Sequence, residues 1–176
     1  MDRPLVTGDI SVAQTWAFCG ATALIFIIAC ACLNSLCFWL AVPALLFAAA
    51  YSLLKRFTAL CHFWLGATLG LAPLAGWISV NPAGMDLSPV LLFLAVTFWV
   101  GAFDIYYAFQ DLDFDLAFDL RSVPSVYGPD TALALAAFSH VMTAIFLLLT
   151  GLAAHLSWPW YAICLGIGVL LLVEHS

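Results

Sequence analysis

The sequence predicts an all-α, polytopic transmembrane helical bundle. Of the 176 residues, 66% are hydrophobic and only 8% are charged, and the mean hydropathy is +1.13. These values lie far outside the range of water-soluble globular domains. Apolar runs of about 20 residues, the length that a helix needs to cross a bilayer, recur with short polar segments between them. We therefore expect an integral membrane protein in which residues 1–176 form a single transmembrane domain.

Six apolar runs are predicted to form the membrane helices, and they cover approximately residues 12–33, 36–54, 62–80, 89–104, 130–152 and 159–173. Either Asp9 or Ser11 can cap the first helix. The third contains Gly66 and Gly70, a small-xxx-small pair that allows a neighbouring helix to approach closely. Pro89 is acceptable in the first turn of the fourth helix, which leads into an acidic segment, because its missing N–H would have no helical partner there.

The net charge of −6 results from ten acidic and four basic residues. We do not expect the protein to bind nucleic acid, since such binding requires a basic surface. With six membrane helices, all four basic residues fall on one side of the membrane, together with both termini. An excess of Lys and Arg is typical of cytoplasmic loops. We therefore expect this side to face the cytoplasm and to carry the active face, in a bacterial inner or plasma membrane.

Five aspartates lie within 16 residues at the end of the fourth apolar run: Asp104, Asp111, Asp113, Asp115 and Asp119. On a continuous α-helix, residues 7 and 11 apart return to nearly the same angle, which aligns Asp104, Asp111 and Asp115. Carboxylates on one face repel each other unless a cation lies between them, and oxygen ligands suit Mg²⁺. These three residues are therefore candidate Mg²⁺ ligands, whereas Asp113 and Asp119 are better interpreted as solvated loop residues.

Asp104 favours a functional interpretation on energetic grounds. It still lies within the apolar segment, where a lone carboxylate costs roughly 2.5–3.5 kcal/mol on insertion scales. A carboxylate in this position usually faces a polar cavity. One alternative is a transporter or channel subunit in which Asp104 lines an ion path. That interpretation explains Asp104 but leaves Asp111 and Asp115 without a role.

The motif Asp104-x-x-Tyr107-x-x-x-Asp111-x-x-x-Asp115, followed by Ser122-Val123-Pro124, resembles the second aspartate-rich motif of the UbiA superfamily of intramembrane prenyltransferases. The greatest similarity is to the 4-hydroxybenzoate polyprenyltransferase branch and its relatives in menaquinone synthesis. Two further segments agree. Residues 3–8 resemble the family's NRPL-x-(T/S)G segment, and residues 51–58 resemble its YP/YS-x-x-KR-x-T segment.

The resemblance implies a Mg²⁺-dependent enzyme that transfers a polyprenyl group from a polyprenyl diphosphate to an aromatic acceptor. The acceptor would be 4-hydroxybenzoate-like or a naphthoate, in ubiquinone or menaquinone biosynthesis. The resemblance assigns catalytic roles to Asp104, Tyr107, Asp111 and Asp115, with the three aspartates as metal ligands. The basic residues on the same side are candidate contacts for the diphosphate, and they are Arg3, Lys55, Arg56 and Arg121.

The chain also departs from the family pattern. Family members have about nine membrane helices and a first aspartate-rich motif, NDxxDxxxD, ahead of the segment that residues 3–8 resemble. We therefore expect this chain to be truncated at both ends and inactive by itself. An inactive remnant is a second alternative to an enzyme. Asp119 stands where relatives usually have glycine, so we expect an altered backbone in this loop.

Overall fold

The computed structural model describes residues 4–174, without the side chain of Val6. These residues form nine helices and no strand. The helices are α1 Pro4–Thr7, α2 Val12–Leu33, α3 Ser35–Leu54, α4 Cys61–Val80, α5 Leu87–Ala108, α6 Leu112–Ala117, α7 Val123–Tyr127, α8 Pro129–Ala153 and α9 Trp158–Glu174. The chain divides into two compact units, Met1–Leu45 and Leu46–Ser176.

Five of the nine helices in residues 4–174 are long and apolar enough to cross a membrane: α2, α3, α4, α5 and α8, with 20–25 residues each. The sixth apolar helix, α9, has 17 residues. The all-α transmembrane architecture is confirmed, and each long helix begins within two residues of its predicted start. The expected count of six membrane spans stays a prediction, because α9 is shorter than the five helices that are long enough to cross a membrane.

In the first unit, Ser11 rather than Asp9 caps α2. The Ser11 hydroxyl accepts a hydrogen bond from the Gln14 backbone N–H at 3.2 Å, and the Gln14 side chain accepts one from the Ser11 N–H at 2.9 Å. This reciprocal pair satisfies two N–H groups that a helix start otherwise leaves without partners. The predicted start of the first membrane helix is therefore fixed by local polar contacts.

The acidic segment does not continue α5 as one helix, so the expected single line of Asp104, Asp111 and Asp115 is wrong. Helix α5 ends at Ala108, where the N–H of Gln110 bonds to the carbonyl of Tyr107 and the N–H of Asp111 to that of Ala108. These i→i−3 bonds tighten the last turn and redirect the chain. Asp113 and Asp115 then lie in the first turn of α6, where the helix dipole favours carboxylates.

In the second unit, α4 packs against α5 through its glycines. A Cβ atom at Gly66 would lie 2.1 Å from the carbonyl oxygen of Thr97, and one at Gly70 would lie 2.8 Å from that of Phe93. The predicted small-xxx-small contact is confirmed, since no larger residue fits at either position. Near the C-terminal end of α5, Ala102 and Ile105 pack in a buried cluster with Ala59, Val123, Ala132 and Ala136. This cluster holds the loop that follows α3, the start of α7 and the first turns of α8 against the end of α5.

We expect Gly66→Ala to destabilise the protein by roughly 1–3 kcal/mol, the usual cost of overpacking a close contact. The matched control is Gly76→Ala on the same helix, where a Cβ atom would meet nothing within 4 Å. Alanine has the higher helix propensity, so this control should be neutral or slightly stabilising. Unfolding of the detergent-solubilised variants, followed by intrinsic fluorescence, checks the difference. Equal stability of the two variants would show that α4 and α5 are farther apart.

Candidate functional site

A small polar cavity of about 90 Å³ lies at the C-terminal end of α5, within the second unit. The ends of α3 and α5, the start of α4 and the turn before α6 contribute to its wall. The lining residues are Tyr51, Lys55, Cys61, His62, Asp104, Tyr107, Ala108 and Asp111. Three of the four predicted catalytic residues and one predicted diphosphate contact therefore meet in one cavity.

The Asp104 carboxylate is held by His62. Its Oδ2 atom lies 2.7 Å from Nδ1 of His62, whose side chain is only 2% exposed. The other ring nitrogen of His62, Nε2, accepts a hydrogen bond from the backbone N–H of Val123 at 3.1 Å. The hydroxyl of Tyr51 also interacts with Asp104. Asp104 is thus tied to α3, to α4 and to the start of α7.

Asp115 lies close to this cavity because it forms an ion pair with Lys55, one of the lining residues. The distance from Lys55 Nζ to Asp115 Oδ1 is 2.8 Å, and the Asp115 side chain is fully buried. Neither oxygen of Asp115 has a partner in good hydrogen-bond geometry within residues 4–174. Oδ2 is therefore a buried carboxylate oxygen that can accept a further donor or a cation.

Backbone contacts hold the loop between α6 and α7 against the end of α3. The N–H of Arg121 donates to the carbonyl of Lys55 at 2.7 Å, and the N–H of Leu120 donates to that of Asp115 at 2.8 Å. Asp119, directly before Leu120, has φ = +51°, in the left-handed region that favours glycine. The loop thus keeps a backbone conformation typical of glycine although the residue is aspartate. At its end, Ser122 and Ser125 form the capping box of α7.

The other predicted residues lie at different distances from the cavity. Tyr107 borders it and is 64% exposed, and Asp111 is also exposed. Arg56 does not line the cavity but lines an adjacent groove of about 590 Å³, which Lys55 shares. The exposed Arg121 donates a hydrogen bond from Nη1 to the carbonyl of Phe57 at 3.4 Å. Arg3 lies outside the described residues.

The charges around the cavity fit a divalent cation bound together with an anionic ligand. Asp104 and Asp111 line the cavity together with Lys55, whose ammonium group already pairs with Asp115, so the carboxylates in and beside the cavity outnumber the one lysine that lines it. The described part of the chain contains no group of three His, Cys, Asp or Glu side chains that converge as metal ligands. Mg²⁺ does not require such a group, since it is usually held by one or two carboxylates plus substrate phosphates and water. The ligand roles of the three aspartates stay a prediction.

Sequence reasoning left His62 without a role, although it contacts Asp104 directly. The two residues are 42 positions apart on separate helices, and no local pattern connects them. A usable signal was present, because a histidine at the start of an apolar helix must find a polar partner when it is buried. The sequence places Tyr51 in the segment 51–58 that resembles the family but indicates no role for it. Its contact with Asp104 depends on how α3 packs, which spacing alone does not give.

Three comparisons with known proteins agree on the family. The model of the UbiA prenyltransferase family matches residues 1–176. A 4-hydroxybenzoate octaprenyltransferase from Alcanivorax borkumensis is 32% identical over 175 residues, which cover 99% of this chain and 59% of that protein. The chain therefore spans about three fifths of the length of this relative.

Two solved structures share the fold. A UbiA homolog from Aeropyrum pernix K1 in its apo form superposes with a TM-score of 0.91 at 28% identity, over 99% of this chain and 66% of that one. A UbiA homolog from Archaeoglobus fulgidus bound to Cd²⁺ gives a TM-score of 0.70 at 25% identity, over 99% of this chain and 65% of that one. The polar cavity of α3, α4 and α5 thus lies in a helical arrangement known from these homologs, and the chain belongs to the UbiA prenyltransferase family.

Proposed function

We propose that the chain forms part of an enzyme that transfers a polyprenyl group from a polyprenyl diphosphate to an aromatic acceptor, 4-hydroxybenzoate or a close analogue, in ubiquinone biosynthesis. The observation that carries this proposal is the meeting of Asp104, Asp111 and Lys55 around one cavity. Family membership and the name of the Alcanivorax relative support the acceptor. A naphthoate acceptor, as in menaquinone synthesis, is the second candidate for the same site.

The side chains around the cavity suit a diphosphate. Lys55 supplies an ammonium group with three donors, of which Asp115 engages one, so the others can contact phosphate oxygens. Arg56 in the adjacent groove, and Arg121 and Arg3 where they reach the same face, would add further contacts with planar donor groups. Tyr107 at the rim can donate a hydrogen bond to the diphosphate or shield a developing positive charge on the allylic carbon.

Asp104, Asp111 and Asp115 would hold Mg²⁺. The excess of carboxylates over the single lysine and the buried Oδ2 atom of Asp115 support this assignment, as does the divalent Cd²⁺ of the Archaeoglobus homolog. When bound, Mg²⁺ neutralises the diphosphate and makes it a better leaving group. The carboxylates themselves would fix the position of the cation near the C-terminal end of α5.

The interpretation of Asp104 as part of an ion path in a transporter or channel is not favoured. Asp104 lies four residues from the end of α5, and His62 and Tyr51 hold it in a small cavity. The family match covers the whole chain and concerns prenyltransferases. If the chain is an inactive remnant, the following assay would show it.

The experiment measures transfer of an octaprenyl group to radiolabelled 4-hydroxybenzoate in membranes of a host that lacks this activity. One arm uses the chain itself, and the other uses a chimera in which the chain replaces the aligned region of the Alcanivorax relative. We expect Mg²⁺-dependent product in the chimera and none with the chain alone. A naphthoate acceptor tested in parallel separates the two acceptor classes. A chimera that reaches the membrane and yields no prenylated product with either acceptor would overturn the proposal.

The active face is proposed to lie in the cytoplasm, because all four basic residues fall on that side. Single cysteines test this in a background without the six natural ones. Ala117→Cys at the end of α6 should react with an impermeant thiol reagent only in inside-out membranes. Ala83→Cys between α4 and α5 should react from the outside of intact cells. Both positions are exposed, so the reversed pattern would invert the topology.

A further inference from the structure

We infer that His62 is a positioning residue, held as a neutral imidazole with its proton on Nδ1, that fixes the Asp104 carboxylate and connects it to the start of α7. The inference rests on the proposed function in one respect, namely that Asp104 takes part in cation binding. The hydrogen-bond arrangement itself rests on the geometry of three residues, His62, Asp104 and Val123.

The two contacts of the imidazole ring determine where its proton lies. A backbone N–H can only donate, so Nε2 of His62 must accept from Val123 and therefore carries no proton. A neutral imidazole then has its proton on Nδ1, which donates to Oδ2 of Asp104 at 2.7 Å. An imidazolium would also carry a proton on Nε2, so that two N–H donors, its own and that of Val123, would face each other. Both ring nitrogens are thus engaged, which leaves none for proton exchange with a substrate.

The burial of these groups explains why the arrangement orients Asp104 strongly. His62 and Val123 are each 2% exposed, and Ser122 next to them is fully buried. Without the imidazole, the Val123 N–H and one oxygen of Asp104 would lose their partners in a region with little water, which is costly. With it, Oδ2 is fixed toward α4 while the carboxylate remains part of the cavity wall.

The same ring connects the cavity to the loop that carries Asp115. Val123 begins α7, directly after the segment in which Arg121 bonds to the carbonyl of Lys55. Lys55 in turn pairs with Asp115. A partner that orients a metal-binding carboxylate changes metal affinity without touching the metal, commonly by 10- to 100-fold on removal. His62 is therefore expected to influence cation binding through Asp104.

Nitrogen-15 NMR of the full chain, labelled at histidine and reconstituted in lipid bilayers, tests the arrangement directly. The chain has four histidines, and the spectrum of His62→Gln identifies the signals of His62 by their loss. We expect one protonated and one unprotonated ring nitrogen, with the proton on Nδ1. An imidazolium signal, or a proton on Nε2, would overturn the inference whether or not the chain binds a cation.

Mn²⁺ titration of the full chain, followed by electron paramagnetic resonance, tests the positioning role. His62→Phe should lower Mn²⁺ affinity by roughly 10- to 100-fold. His62→Gln, whose amide has a donor and an acceptor, should recover part of this loss. His140→Phe is the matched control, since His140 is also 2% exposed but lies outside the cavity lining, and its affinity should equal that of the wild type.

The outcomes separate the inference from the proposed function. Wild-type affinity in His62→Phe would overturn the positioning role. Equal losses in His62→Phe and His140→Phe would also overturn it, because a general effect of replacing a buried histidine would then explain the change. No Mn²⁺ binding to the wild-type chain, combined with the expected NMR spectrum, would contradict the proposed cation site while leaving the hydrogen bonds of His62 established.

Discussion

Asp104→Asn in the chimera is expected to lower Mg²⁺-dependent prenyl transfer by roughly 100- to 1,000-fold, the usual loss when an active site is deprived of one charge-stabilising group. Asparagine keeps the size of the side chain, and its Oδ1 can still accept the hydrogen bond from Nδ1 of His62. The substitution therefore removes the charge and leaves the fold. The measurement is octaprenyl transfer to 4-hydroxybenzoate, with membrane content of each variant determined by immunoblot.

Asp113→Asn is the matched control for this prediction. Asp113 belongs to the same acidic segment, but it is exposed on α6 and does not line the cavity. Its carboxylate is solvated, so the substitution should change the rate only slightly. Asp111→Asn, at the cavity wall, should follow Asp104→Asn rather than this control. A loss in Asp113→Asn as large as that in Asp111→Asn would show that bulk negative charge, and not the cavity, determines the rate.

The membrane helices could be predicted because one physical requirement sets both their length and their composition. In lipid, a segment must satisfy all its backbone groups internally, so each apolar run of sufficient length forms a helix. The close packing of α4 against α5 could also be predicted, since Gly66 and Gly70 occupy one face of α4 and nothing larger fits there. These features depend on residues that are near in sequence.

The site was only partly predictable, because it depends on tertiary contacts. Asp104 and Asp111 do meet at one cavity, but the turn after Ala108 brings them together, not a shared helix face. Helical periodicity holds only where the helix continues, and no strong breaker such as proline announces its end in this segment. The partners of Asp104 and Asp115, His62 and Lys55, come from sequence positions 42 and 60 residues away. No spacing rule covers such distances.

Lys55→Met is expected to destabilise the chain by about 3 kcal/mol, the lower end of the range for breaking a buried ion pair. The lower end applies because the Lys55 side chain is 30% exposed, whereas that of Asp115 is fully buried. The substitution leaves a buried carboxylate whose oxygens have no partner in good hydrogen-bond geometry within residues 4–174. The control is Arg56→Met, which removes a neighbouring cation from an exposed position and should change stability little.

The double variant Lys55→Met/Asp115→Leu distinguishes the loss of attraction from the cost of an unpaired charge. Leucine branches at the same atom as aspartate, and replacing a buried pair by apolar residues of similar shape is often neutral. Most of the lost stability should therefore return, although prenyl transfer should not, since two charged groups of the cavity region are then absent. The free energy of unfolding is measured by denaturant titration in mixed micelles. If Lys55→Met cost no more than Arg56→Met, the Asp115 carboxylate would have to be solvated or protonated, and its proposed role as a cation ligand would lose its electrostatic basis.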